Sequence, residues 1–85
     1  MDRKIILFGK EGCSPCQNVK DFLKEEKVDY EFVDAYEDLE KSIEFNIVHV
    51  PTLLVLENGE ELKRVLTDRN INALKKAVEV FRNGQ

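Results

Sequence analysis

Lys4-Ile5-Ile6-Leu7-Phe8-Gly9-Lys10-Glu11-Gly12-Cys13-Ser14-Pro15-Cys16 is the stretch whose reading decides the fold. Its first half is a continuous apolar run from Lys4 to Phe8, the pattern of a strand buried on both faces. Gly9 to Gly12 then makes a loop, with a glycine at each end to let the chain turn. From Ser14 the period changes. Cys16, Val19, Phe22 and Leu23 fall on one stripe of a helix predicted to end near Lys27. Pro15 belongs in the first turn of that helix, because the amide it lacks has no intrahelical partner there.

Outward from this stretch, Val28 to Asp34 alternates and carries Tyr30, Phe32 and Val33, so it reads as a second strand. Joined to the first through a helix, it makes a βαβ unit with two parallel strands. A short helix is expected over Glu37 to Phe45, with Leu39, Ile43 and Phe45 facing inward. Thr52 to Leu56 is another apolar, β-branched strand. Asn58-Gly59 follows as a hairpin signal, and Glu60 to Leu66 returns as the partner strand. Thr67 and Asp68 are helix-start residues, and Ile71, Leu74, Ala77, Val78 and Phe81 stripe a terminal helix that Gly84 closes. The order is β-α-β-α-β-β-α, an α/β chain with a mixed sheet flanked by helices.

Eighty-five residues, 42% hydrophobic and 35% charged, describe one small soluble domain spanning 1–85. The formal net charge of −4, with Lys and Arg scattered among Asp and Glu, argues against nucleic acid as a partner. The apolar run near the N-terminus is too short for a signal peptide or a membrane span, so a cytoplasmic protein with no membrane partner is expected. In that reducing compartment a permanent structural disulfide is unexpected, yet two cysteines stand one helical turn apart. That conflict is the first clue to function.

At a helix start, residues i and i+3 have Cβ atoms about 5–6 Å apart, so a disulfide opens and closes there with little backbone motion. Cys13 precedes the helix, where unpaired amides and the positive end of the dipole favour a thiolate. Cys16 lies one turn inside on the apolar stripe, where burial disfavours its ionised form. Cys13 is therefore the expected nucleophile and Cys16 the resolving thiol. Three plainer readings compete. A structural staple closing so short a loop contributes only about 2 kcal/mol. Half of a zinc or iron–sulfur site lacks a second cysteine pair, and His49 is the sole histidine. The third is two inert cysteines in the core.

With Cys13-Ser14-Pro15-Cys16 after a buried strand, Val50-Pro51-Thr52 about 35 residues downstream and the Asn58-Gly59 hairpin beyond, nearly the whole chain resembles the thioredoxin/glutaredoxin superfamily. It is similar to the short, glutaredoxin-sized thioredoxins of bacteria and archaea. The resemblance implies a thioredoxin-like fold, a four-stranded mixed sheet flanked by three helices. It implies a cis Val50-Pro51 bond beside the cysteines, a Val50 backbone open to a substrate strand, and substrate contacts from Ser14, Pro15, Val50 and Pro51, with His49 near the mouth of the site. The implied activity is electron transport to protein disulfides, ribonucleotide reductase among the candidates, by a monomer with no cofactor beyond its redox-active disulfide. Two departures matter. Where thioredoxins carry a tryptophan and a buried aspartate, this chain has Gly12 and Leu7. Where glutaredoxins carry a glycine pair for glutathione, it has Leu66-Thr67-Asp68-Arg69. Re-reduction by a flavoprotein of the thioredoxin reductase type is thus expected over the alternative, a glutathione-dependent glutaredoxin; a metal or iron–sulfur binding protein is the third reading.

Overall fold

The computed structural model describes residues 2–85, with Met1 outside the described residues. It has the expected order: β1 (Arg3–Gly9), α1 (Ser14–Glu25), β2 (Glu31–Asp34), α2 (Leu39–Glu44), β3 (Thr52–Glu57), β4 (Glu60–Val65) and α3 (Ile71–Asn83). The strands form one four-stranded sheet in the order β2-β1-β3-β4. β1 runs parallel to β2, with Phe8 opposite Val33, and antiparallel to β3, with Phe8 opposite Thr52. Asn58 and Gly59 both take positive φ, 52° and 87°, as a tight hairpin between twisted strands requires.

Because successive side chains of a strand point to opposite faces, β1 and β3 each feed two cores. Ile5, Leu7, Leu53 and Val55 pack with Val19 and Leu23 of α1 and Leu74, Ala77 and Val78 of α3. Ile6, Phe8, Leu54 and Leu56 pack on the other face with Val33 and Ala35, covered by Phe45, Ile47 and Val50. The unalternating run in β1 thus has its physical cause in two covered faces.

Several boundaries differ from the sequence-based expectation. The second strand is shorter, because Lys27 adopts φ 59° and the Val28 N–H donates to Leu23 O, so the chain is still closing α1 at Val28. Thr67 and Asp68 do not start α3. Asn70 does, its side chain accepting the Ala73 N–H at 3.0 Å. Ile71 is exposed, while Val80 takes an inward place and Phe81 packs at the core's edge. Gly84 closes α3 at φ 79°, as expected.

The larger correction concerns α2. Phe45 faces the sheet as expected and meets Phe8 at 5.9 Å between ring centroids, but Leu39 and Ile43 point to solvent. Polar anchors decide which side of this six-residue helix faces in. The Ser42 hydroxyl donates to Ala35 O at 2.7 Å, and Lys41 Nζ meets Glu31 at 2.7 Å. Arg64 reaches across from β4 to donate to Phe45 O and Asn46 O. With Lys41 and Ser42 tied to the sheet, the helical period turns Leu39 and Ile43 outward.

Hydrogen bonds from Lys41 and then Lys4 hold the Glu31 carboxyl below the usual carboxylate range, and Glu31 in turn raises Lys41. A lowered carboxylate contributes stability above its unfolded titration range, lost as pH falls through the folded one; a raised lysine loses its share only as pH rises through its own folded range. The pair is half-exposed, so its contribution is at most about 1 kcal/mol. Glu31→Gln is therefore expected to lower the melting temperature slightly at neutral pH, with the difference from wild type vanishing below the carboxylate range. An equal difference at both pH values counts against the bridge.

Candidate active site

Cys13 is the N-cap of α1, in extended conformation at φ −97° and ψ 103°. In that conformation its sulfur turns back over the helix start and accepts the Cys16 N–H at 3.2 Å. One of the orphan amides of the first turn is thereby satisfied by sulfur, where a serine or aspartate usually serves. Pro15 occupies the first turn, and no acidic side chain stands there to compete for the helix's positive end. The two cysteines are joined by a disulfide, their Cα atoms 5.2 Å apart. Cys16 is only 1% exposed, on the stripe with Val19 and Leu23 that the periodicity indicates, whereas Cys13 is half-buried and Ser14 and Pro15 are exposed.

What lies behind Cys16 was not foreseen from the sequence. Gly9 ends β1 directly beneath it: a Cβ there would stand 3.2 Å from both Cβ and Sγ of Cys16 and 2.9 Å from the Phe32 ring. Only a hydrogen fits, so the glycine lets the resolving sulfur rest on the strand backbone. A glycine closing an apolar strand is the one signal that marks such an approach in sequence. Leu7, where the resemblance would place an aspartate, is fully buried among Val19 and Leu23.

The same end of the sheet carries the cis Val50-Pro51 bond that the resemblance implies. Since Phe8 pairs with Thr52, continuing the antiparallel register by one residue sets Pro51 beside Gly9. The Thr52 hydroxyl, buried, donates to His49 O at 2.8 Å and ties down the preceding turn. Cys13, Ser14 and Cys16 line one cavity of about 320 Å³ with Lys10, Glu11, Gln17 and Lys20. His49 and Val50 line a separate, neighbouring groove, and Pro15 lies outside both. Lys20 rests its Nζ 4.0 Å from the Phe32 ring centroid. Asp68 accepts from Asn18 Nδ2 at 2.8 Å, tying the loop before α3 to α1. Among the described residues no group of three or more His, Cys, Asp or Glu side chains is placed to hold a metal ion, and no helix is long and apolar enough to cross a membrane.

A strand leading to a cysteine N-cap, its partner one turn deeper and a cis proline across the sheet define a thiol–disulfide oxidoreductase site, and the chain belongs to the thioredoxin/glutaredoxin superfamily. The glutaredoxin family model matches residues 5–70. The SPbeta prophage-derived thioredoxin-like protein YosR of Bacillus subtilis is 31% identical over 62 residues, 72% of this chain and 78% of that protein. The oxidised thioredoxin of Plasmodium falciparum superposes with a TM-score of 0.77 at 32% identity, over 91% of this chain and 78% of that one. Thioredoxin 1 of Thermosipho africanus, at 24% identity, shares the fold over 93% of both chains with a TM-score of 0.73.

The fit at Gly9 has a direct test. Gly9→Val is expected to destabilise the protein by about 1–3 kcal/mol in urea unfolding, as overpacking does. Phe32→Ala in the same chain should recover part of that loss, because the ring supplies the closest contact; simple additivity of the two changes would place the clash elsewhere.

Proposed function

We infer that the protein reduces disulfides in other proteins through Cys13 as nucleophile and Cys16 as resolving thiol. The observation that carries this reading is the asymmetry of the two sulfurs. Cys13 is partly open at a helix N-terminus with an amide aimed at its sulfur, and Cys16 is sealed behind it. In the reduced protein the Cys16 N–H faces a sulfur able to carry charge, and a hydrogen bond to an ionised acceptor is about twice as strong as a neutral one.

The Cys13 thiolate attacks one sulfur of a substrate disulfide. A Cys13–substrate bond forms, the substrate S–S bond breaks, and the departing thiolate takes up a proton. Cys16 then gives up its proton and attacks Cys13 Sγ, releasing the second substrate sulfur as a thiol. Two electrons and two protons have passed to the substrate, and the Cys13–Cys16 disulfide remains. Ser14, Pro15, Val50 and Pro51 contact the substrate, with His49 at the rim. The work is done by a cytoplasmic monomer spanning the whole chain, with ribonucleotide reductase among the candidate partners. A flavoprotein of the thioredoxin reductase type returns the enzyme to its dithiol form.

Glutathione as the electron donor is the second reading, favoured by the match to the glutaredoxin model. Against it stand the missing glycine pair in Leu66-Thr67-Asp68-Arg69 and the engagement of Asp68 by Asn18. Cys13→Ser should abolish reduction of an insulin-like substrate, and Cys16→Ser should accumulate a mixed disulfide through Cys13. Wild-type rates for both variants sink the dithiol mechanism. Turnover coupled to thioredoxin reductase, compared with turnover coupled to glutathione and its reductase, separates the donors; the first is expected to be faster.

A further inference from the structure

We propose that Arg64, oriented by Glu61, is a positioning residue for the reduction of polypeptide disulfides: by gripping the end of α2 it fixes the turn that presents Val50 and Pro51 beside the cysteines. The inference rests on the protein-disulfide reading. It adds to that reading a residue of the edge strand β4, outside the cavity that Cys13 and Cys16 line.

β4 is built to bring these two side chains together. On a regular strand, side chains three residues apart point to opposite faces. Here Leu56 pairs with Glu61 and Val55 with Lys63, so Leu62 is an extra residue, a bulge that returns Arg64 to the face of Glu61. That face is the one α2 covers. Arg64 stands opposite Leu54 and Glu61 opposite Leu56, both in the core beneath Phe45, Ile47 and Val50. The Glu61 carboxylate accepts from Arg64 Nε and Nη2, each at 2.9 Å, and so fixes the plane of the guanidinium. The other edge of the fork donates from Nη2 to Phe45 O and from Nη1 to Asn46 O, the latter at 3.1 Å.

Those two carbonyls close a helix of six residues, too short to hold its own end, where terminal carbonyls lack intrahelical donors. Asn46 turns the chain there with φ 54°, a left-handed conformation that is costly for a residue with a Cβ unless its surroundings hold it. Three residues then separate Asn46 from Val50. The Thr52 hydroxyl holds the far limb at His49 O, so the turn is clamped by Arg64 at one limb and by Thr52 at the other. An ammonium is a point donor without a planar fork, so lysine at position 64 cannot hold Glu61 and both carbonyls together. With the clamp lost, the end of α2 frays and the turn meets a substrate backbone in many arrangements instead of one. The cysteines, held by α1 and β1, keep their places.

Single-turnover oxidation of the pre-reduced protein tests this, well below the melting temperature, with an insulin-like polypeptide disulfide and with bis(hydroxyethyl) disulfide, which has no peptide backbone to meet the turn. Arg64→Lys and Arg64→Gln should raise the half-saturating polypeptide concentration about five- to tenfold, with the limiting rate and the reaction of the small disulfide within about twofold of wild type. Glu61→Gln keeps the guanidinium but loosens its plane, and should move the half-saturating concentration the same way by less; it carries the test where the Arg64 variants do not fold. A lowered melting temperature with unchanged saturation makes Arg64 a structural strut and overturns the proposal while the redox reading stands. Equal losses on both substrates trace the effect to the cysteines and overturn it as well. A wild-type protein that reduces neither substrate overturns the redox reading and the proposal with it.

Discussion

The antiparallel pairing of β1 with β3, from Arg3 opposite Glu57 to Phe8 opposite Thr52, is the constraint on which the rest of the molecule depends. It joins two strands distant in sequence and buries the apolar side chains of both on two faces at once. It also sets the end of β1, the start of α1 and the turn before β3 at one end of the sheet. A slip of one residue would exchange the two cores and carry Pro51 out of line with Gly9. Fold and active site are thus specified by the same ladder.

Within that frame the two cysteines acquire different chemistry from one turn of helix. Cys13 stands in the half-in position where amides lack partners, and Cys16 stands where the helix has begun to bury its stripe. Cys16 is seated against Gly9, on the apolar stripe of α1 with Val19 and Leu23. The asymmetry is one of burial and backbone donors, which a short helix supplies from its own geometry.

α2 illustrates the opposite balance. Burying Leu39 and Ile43 would add apolar area to a small core, yet the helix presents its polar side to the sheet. Hydrogen bonds and an ion pair with defined partners outweigh a non-directional gain when the helix spans fewer than two turns and has few apolar contacts to offer. The apolar surface left outside adjoins the turn that holds the cis proline, so packing forgone in the core reappears as shape beside the chemistry.

Element order, the doubly buried first strand, the Asn58-Gly59 hairpin and the contrast between Cys13 and Cys16 were legible in the sequence. Each rests on local period, turn chemistry or position in a helix, and these act over a few residues. The cis state of Val50-Pro51 was legible only through family resemblance. The inversion of α2, the start of α3 at Asn70 and the seat of Cys16 on Gly9 were decided by tertiary structure. In each case partners far apart in sequence determine the outcome: Lys41 meets Glu31, Arg64 meets Phe45, and Asp68 is held by Asn18 instead of starting a helix. A sequence states which residues are apolar and at what spacing; which polar groups find one another, and so which face turns inward, is known only once the sheet has brought them within reach.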